Sequence, residues 1–584
     1  MIPGSPLALL GAIALLIGVC ARAQDGPPPE VSSGWIAKRA VESRHAMIVA
    51  ANPLAVDAGM RVLAQGGSAV DAAVAIQLVL NVVEPQSSGI GGGAFMLVHN
   101  GRSGLLTAYD GRETAPAAAR PDRFLDASGK PLGFRDAVIG GRSVGVPGVL
   151  RLLELAHRQY GKRQWAQLFQ PAIALAENGF AVSPRLHAAI AADGYLAQGN
   201  ARAIFYNVDG TPLAAGQLLR NPALAATLKR IATGGADAFY NGSIARDIVD
   251  TVDGNARNPG DITLADLANY KAKVREPVCG RYRAYKVCGV PLPSSGGVSV
   301  LQMLGILEPF AMKDIDAGSL MSVHLFSEAG RLAYADRDAY LADPDFVVPP
   351  PGLLDPAYLR SRSALIRPDA SMGRAAPGVP LALPGTAQKV ASGAGVTLEL
   401  PSTSHFSIVD RSGNAVAMTT TVENAFGSRL MTQGGFLLNN QLTDFAFVPE
   451  VDGKPVANRV EGGKRPRSAM APTIVYDHRG HVFMVVGSPG GPAIINYVAK
   501  TLVGVLDWRL DPQAAVDLPN VGSRNGPTEL ERGTSAVDLA SKLQAIGHET
   551  RVMNHTSGLH AIVRTPTGWI GGADPRREGV VRGD

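Results

Sequence analysis

The stretch Pro401–Glu423 reads PSTSHFSIVDRSGNAVAMTTTVE. From Thr403 on, His405, Ser407 and Val409 alternate with Ser404, Phe406 and Ile408, the period of two expected of a strand. Asp410-Arg411-Ser412-Gly413-Asn414 has the chemistry of a turn. Ala415–Val422, rich in Val and Thr, predicts the second strand of a hairpin. A fold about Ser412 sets Thr403 opposite Thr421, and a one-residue change in turn length moves the partner to Val422. In the first register two Thr hydroxyls meet at the open end of the hairpin; in the second they stay near neighbours, and Glu423 extends just beyond. Taken alone this is an ordinary Thr-rich hairpin, and the rest of the chain decides what else it is.

The chain has 584 residues, 46% hydrophobic and 18% charged, a globular composition. Its net charge of +5 is spread along the sequence with no basic block and little aromatic interleaving, which argues against a nucleic-acid-binding protein. Leu7–Val19 is apolar but too short to span a bilayer, and Ala21-Arg22-Ala23 follows as a small-x-small site. Residues 1–23 therefore read as a secretory signal peptide and imply a periplasmic or secreted protein. Cys20 follows the bulky Val19, unlike a lipoprotein site, so cleavage after Ala23 is preferred. No later run predicts a membrane span.

Two cysteines then remain in the exported chain, Cys279 and Cys288. A two-residue turn at Arg283-Ala284 pairs Tyr282 with Tyr285, Arg281 with Lys286, and Cys279 with Cys288. The Cys pair falls at a non-hydrogen-bonded position, where side chains approach most closely, and an oxidising compartment predicts a disulfide.

Asn52-Pro53 caps and starts one helix, and Ser68-x-x-Asp71 resembles a capping box for a very apolar second helix through Val83. Ser87-Ser88-Gly89-Ile90-Gly91-Gly92-Gly93-Ala94 contains G-x-G-x-x-A, but a helix precedes it and a strand, Phe95–His99, follows, the reverse of a dinucleotide site. These glycines read as permitting close backbone packing beneath a site. A strand at Leu105–Tyr109 ends in Asp110-Gly111-Arg112-Glu113. Helices are expected from Pro147 to Tyr160, Trp165 to Asn178, Pro184 to Ala191, Pro222 to Thr233, Ser243 to Val252, Leu264 to Tyr270 and Leu320 to Ala342. Residues 366–402, dominated by Pro, Gly, Ala and Ser, predict a mobile segment. Strands are expected at Gly435–Asn440, Thr473–Tyr476 and Val482–Val486. Gly490-Gly491 before a helix can offer backbone N–H groups to an anion. No repeat and no metal-ligand spacing stands out, and no cofactor is implied.

Several motifs occur in one order: Gly89-Ile90-Gly91-Gly92-Gly93, Asp110-Gly111-Arg112-Glu113, Pro293-Ser294-Ser295-Gly296-Gly297, Thr403-Ser404-His405-Phe406, Asn439-Asn440-Gln441-x-x-Asp444, Arg465-Pro466-x-Ser468 and Gly487-Ser488-Pro489-Gly490-Gly491. Together they closely resemble the gamma-glutamyltransferase family, also called gamma-glutamyltranspeptidases or glutathione hydrolases. The likeness runs from about residue 45 to Gly571-Gly572-Ala573-Asp574-Pro575-Arg576-Arg577-Glu578-Gly579. It implies an α+β fold of the N-terminal nucleophile hydrolase type, a four-layer αββα sandwich. It also implies a precursor cut between Ser402 and Thr403 into a large subunit, 24–402, and a small subunit, 403–584, which form a heterodimer.

A Thr hydroxyl is a weak nucleophile without a base. Attack of Thr403 Oγ1 on the Ser402 carbonyl would give an ester that water opens, freeing an amine with a reference pKa of ~7.7–8.0, suited to a general base. Thr421 would hold the Thr403 hydroxyl, the role the resemblance also assigns it. The resemblance implies as substrates glutathione and other γ-glutamyl compounds, with water, amino acids or peptides as acceptors. Arg112 and Ser468 would then take the donor's α-carboxylate, Asp444, Glu423 and Gln441 its α-amine, and Gly490 and Gly491 the oxyanion. The sequence departs from many members in having Ala469 after Ser468 and Glu423 in place of Asn, and its 444–468 loop is short. These departures keep a cephalosporin (glutaryl) acylase as the second reading, with a non-catalytic periplasmic binding protein as a third.

Overall fold

A computed structural model describes residues 33–380 and 402–584, and in it the hairpin forms in the first of the two registers. Thr403–Val409 pairs antiparallel with Ala415–Thr421, and Thr403 stands opposite Thr421. The turn is tied by Asp410, whose carboxylate accepts from the backbone N–H groups of Ser412 and Asn414 and also from Ala69.

This hairpin is the middle of a seven-stranded sheet ordered Val580–Gly583, Met47–Ala50, Thr403–Val409, Ala415–Thr421, Gly93–His99, Leu106–Gly111 and Lys273–Arg275. A second seven-stranded sheet runs Val41–Ser43, Gly568–Ala573, His560–Thr565, Val482–Gly487, Thr473–Tyr476, Tyr285–Gly289 and Val278–Tyr282. All neighbours in both sheets are antiparallel. The sheets face each other, and helices cover both outer faces: Pro53–Ala64, Ala69–Val83 and Val149–Tyr160 on the first, Gly296–Leu307, Ile494–Leu506 and Pro512–Asp517 on the second. This is the four-layer sandwich.

Strand periodicity decides which way the hairpin faces. Phe406, Ile408, Val416 and Met418 enter the core under the outer helices, whereas Val409, Ala415 and Ala417 join the core between the sheets. Thr403 and Thr421 share the parity of the second set, so both hydroxyls point to the inter-sheet side at the end of the hairpin. Asn52 caps the first helix, and Ser68 and Asp71 form the expected capping box on the second, which is buried along its whole length. The Cys279–Cys288 disulfide is present, at the register expected from the turn.

Two expectations need correction. The helix from Trp165 to Asn178 is two, Trp165–Leu168 and Gln170–Asn178, because Pro171 begins a new first turn. Gly435–Asn440 forms no strand. Its backbone bonds to three separate segments: Leu438 N–H to Leu430, Asn439 N–H to Gly91 and Asn440 N–H to Val422. The first part of 366–402 is bonded to the rest of the chain. There Ser371 N–H bonds to Ile546 O, Met372 N–H to Glu328, Ala375 N–H to Asn525 and Gly378 N–H to Asp336. The expected signal peptide, 1–23, and residues 381–401 lie outside the described residues.

Candidate active site

The Gly-rich run sits directly under the hairpin end. Gly93 pairs with Thr421 in the ladder, and a Cβ on Gly92 would stand 2.1 Å from the Thr421 carbonyl oxygen. On Gly91 it would stand 2.1 Å from Leu437 O. Glycine is required at both positions by close approach of backbone, as the sequence suggested.

In the uncut chain Thr403 Oγ1 donates to Thr421 Oγ1 at 3.2 Å, and Thr421 Oγ1 donates to the Ser402 carbonyl at 2.7 Å. The Glu423 N–H donates to the same Thr421 oxygen at 2.8 Å. Thr421 therefore has one fixed proton direction, since a carbonyl only accepts. The Ser402 carbonyl is polarised by Thr421, and the Thr403 hydroxyl is held by it. Ser402 is pinned by its own hydroxyl, which donates to Gln86 O at 2.5 Å.

A cleft opens at this point and is lined by Thr403, Thr421, the five expected donor contacts Arg112, Glu423, Gln441, Asp444 and Ser468, and by Ala469. Arg112 follows the strand Leu106–Gly111 and is buried; its Nε donates to Pro466 O at 3.0 Å and its Nη2 to Arg467 O at 2.8 Å and to Asp444 Oδ2. Gln441 Nε2 donates to the same Asp444 oxygen at 2.6 Å. The sequence places Asp444 and Arg112 on opposite ends of a donor; in the uncut chain they are ion-paired. Glu423 has a left-handed backbone, φ 78°, unusual for a non-glycine, and its carboxylate accepts from Asn440 Nδ2. Gly491 lines the cleft but Gly490 does not: its φ is 138°, and a side chain there would meet the Tyr497 ring at 2.4 Å.

Other residues support this site without having been assigned a role from sequence. Ser295 N–H and Oγ both donate to Ser468 O, at 2.8 and 2.6 Å, and Ser468 N–H donates to Pro293 O. The Pro293–Gly297 motif is thus the cradle of Ser468, whose Oγ also accepts from Met470 N–H at 3.0 Å and keeps its proton for a ligand. Glu113, quoted in the Arg112 motif, is fully buried; burial lifts its carboxyl to about 8, opposed by Arg112. Glu84 ends the second helix and accepts from Ser404 Oγ at 2.9 Å and Arg185 Nη1 at 2.8 Å. Arg577 Nη1 donates to the Thr403 carbonyl at 3.1 Å. Nothing in a linear sequence brings residues 84, 404 and 577 together.

Among the described residues one group has metal-ligand chemistry, the buried His324, Glu328 and His548, with ligand atoms all within 4.8 Å of one another. His324 and Glu328 stand four apart on the helix Leu320–Tyr340, a spacing that does not stand out in the sequence. Its atoms are bonded to neighbours: His324 Nε2 to Arg367 O at 2.7 Å, His324 Nδ1 to His548 Nε2 at 2.7 Å, and Glu328 to Arg331 at 2.9 Å. None of the three lines the cleft.

The model of the gamma-glutamyltranspeptidase family matches residues 55–583. The glutathione hydrolase proenzyme of Bacillus subtilis (strain 168) is 39% identical over 553 residues, 93% of this chain and 91% of that protein. The protein of the same name from Escherichia coli (strain K12) is 38% identical over 597 residues, 99% of this chain and 98% of that one. Among solved structures, a cephalosporin acylase from Bacillus halodurans superposes with a TM-score of 0.81 at 26% identity, over 97% of this chain and 99% of that one.

Proposed function

This chain belongs to the gamma-glutamyltranspeptidase family, and from that premise we propose that it cuts itself between Ser402 and Thr403 and then uses Thr403 as its nucleophile. Its activity is γ-glutamyl transfer, to water as hydrolysis or to an acceptor amine.

The observation that carries the residue assignment is the chain of hydrogen bonds Thr403–Thr421–Ser402 on the wall of a cleft lined by Arg112 and Asp444. Thr403 Oγ1 attacks the Ser402 carbonyl carbon, and charge developing on its oxygen meets the Thr421 hydroxyl. The C–N bond breaks, the Thr403 nitrogen takes a proton, and water opens the ester to a Ser402 carboxylate and a free Thr403 hydroxyl. The new amine is the base for the second reaction. Thr403 Oγ1 then attacks the donor's γ-carbonyl carbon, passing its proton to the Thr403 amine, with the oxyanion at the Gly491 end of the cleft. The amide C–N bond breaks, the leaving amine takes that proton, and water or an acceptor amine opens the resulting γ-glutamyl ester. Arg112 and Ser468 take the α-carboxylate, and Asp444, with Gln441 and Glu423, takes the α-amine. The products of the cut, 24–402 and 403–584, stay together through the shared sheets as a heterodimer. Export to the periplasm or beyond is supported by the leader and by the Cys279–Cys288 bond. No helix among the described residues is long and apolar enough to cross a membrane.

Denaturing electrophoresis tests the cut. Two bands are expected, the smaller beginning at Thr403, and Thr403→Ala should remain one band. A Thr403→Ala protein that is still cut and active would refute the assignment. The acylase reading draws on Ala469, where a hydroxyl is missing, and on the likeness to the Bacillus halodurans structure. It is separated by comparing release of p-nitroaniline from γ-glutamyl and glutaryl anilides. Two acidic side chains in the cleft, Asp444 and Glu423, favour the donor with an amine.

A further inference from the structure

We propose that Lys38, in the N-terminal arm of the chain, is a positioning residue for Thr403. Its ammonium donates to three backbone carbonyls, those of Asp574 at 2.7 Å, Arg577 at 2.6 Å and Gly579. Three carbonyls aimed at one point repel one another unless a donor fills the space, and a lysine ammonium has three N–H groups and no acceptor. The arm follows the same segment: Ile36 N–H donates to Pro575 O at 2.8 Å, and the Trp35 ring lies 4.9 Å from the Arg576 guanidinium.

The segment held in this way carries Arg577, whose Nη1 donates to the Thr403 carbonyl and whose Nη2 donates to Thr556 O at 2.9 Å. Cutting before Thr403 removes the covalent tether on one side of the nucleophile. A strand that ends in a free amine frays unless its last residues are held. The ladder pair with Thr421 and the Arg577 bond hold Thr403 itself, and Glu84 holds Ser404 beside it. Lys38 thus acts on Thr403 through Arg577, and it does so from the other product chain. Asp574, Glu578 and Asp517 surround the ammonium with negative charge and keep it protonated against the cost of burial, which draws it down to about 8.

The inference rests on Thr403 being the nucleophile, and one experiment separates the two ideas. Lys38→Arg, Lys38→Gln and Lys38→Met are made in the full precursor. Each is assayed at neutral pH for self-cleavage, for melting temperature, and for kcat and KM with γ-glutamyl-p-nitroanilide. For Lys38→Met we expect kcat about tenfold lower, with KM within about twofold of wild type because the donor contacts are untouched. Lys38→Gln should fall between, and Lys38→Arg should recover most of the loss. A kcat for Lys38→Met within about twofold of wild type overturns the proposal. So does a loss carried by KM alone, a lowered melting temperature with unchanged kcat, or a Lys38→Arg no better than Lys38→Met. If Lys38→Met does not accumulate folded, the Gln and Arg variants decide by the same criteria. Wild-type activity that does not depend on Thr403 would instead sink the nucleophile assignment.

Discussion

Arg112 is bonded to two carbonyls and to Asp444, and Glu113 lies on its other side with Nη1 and Oε2 3.9 Å apart. Burial lifts Glu113 from the ordinary 4.5 to about 8, so at neutral pH it is the neutral acid and leaves the Arg112 charge to the donor carboxylate. For a carboxyl raised in the folded state, the stabilisation is fully present below pH 4.5 and is lost as pH rises through 8. Above that point ionised Glu113 competes with the donor. Donor KM should therefore climb in wild type as pH passes about 8 and stay flatter in Glu113→Gln, a difference read from KM–pH profiles. Arg112→Lys keeps charge but loses the planar fork. It should cost about 2 kcal/mol of donor binding, roughly thirtyfold in KM, with self-cleavage preserved.

At the scale of elements, the hairpin end depends on the run beneath it. Gly92→Ala would drive a methyl into the Thr421 carbonyl, 2.1 Å away, and the strand bearing Thr421 must shift. The expected result is a fold less stable by about 1–3 kcal/mol and a precursor that stays largely one band, measured by thermal melting and electrophoresis. Gly104→Ala is the control, because nothing lies within 4 Å of its added Cβ; its φ of 72° leaves only a backbone cost. Gly92→Ala cut at the wild-type rate would show that the approach is not tight.

For the whole molecule, the contact between the two chains that the proposed cut would give includes the His324–His548 pair. It ties the helix Leu320–Tyr340 and residues 367–372, before the cut, to Thr528 and His548 after it. His548 is held down to about 4 by burial, with His324 and Arg331 adding to the effect. A histidine depressed in the folded state contributes stability that is complete above its ordinary 6.5 and is lost as pH falls through 4. The melting temperature of the cut protein should fall between pH 6.5 and 4, with the small chain released on size exclusion at the acid end. His548→Gln should flatten that dependence; an identical pH profile in the variant would remove the pair from the account.

The local sequence was enough for the hairpin to within one residue of its register, for the Cys pairing and for both helix caps, because each is set by residues within about twenty positions and by backbone periods of 2 and 3.6. Thr403, Arg112, Gln441, Asp444, Ser468 and Gly491 each stand in a motif whose order resembles one family, and Thr421 and Glu423 stand at the end of the hairpin; all eight line one cleft. The local sequence misjudged Gly435–Asn440, whose hydrogen bonds go to three separate segments, and the Pro and Gly content of residues 366–380 gives no sign of their bonds to Glu328 and Asp336. Only the tertiary structure decided that Asp444 pairs with Arg112, that Glu113 is buried beside it, that Glu84 and Arg577 bond to the Thr403 strand, and that Lys38 bonds to the segment bearing Arg577. Burial and long-range backbone contacts make those effects, and neither is written in the neighbours of a residue along the chain.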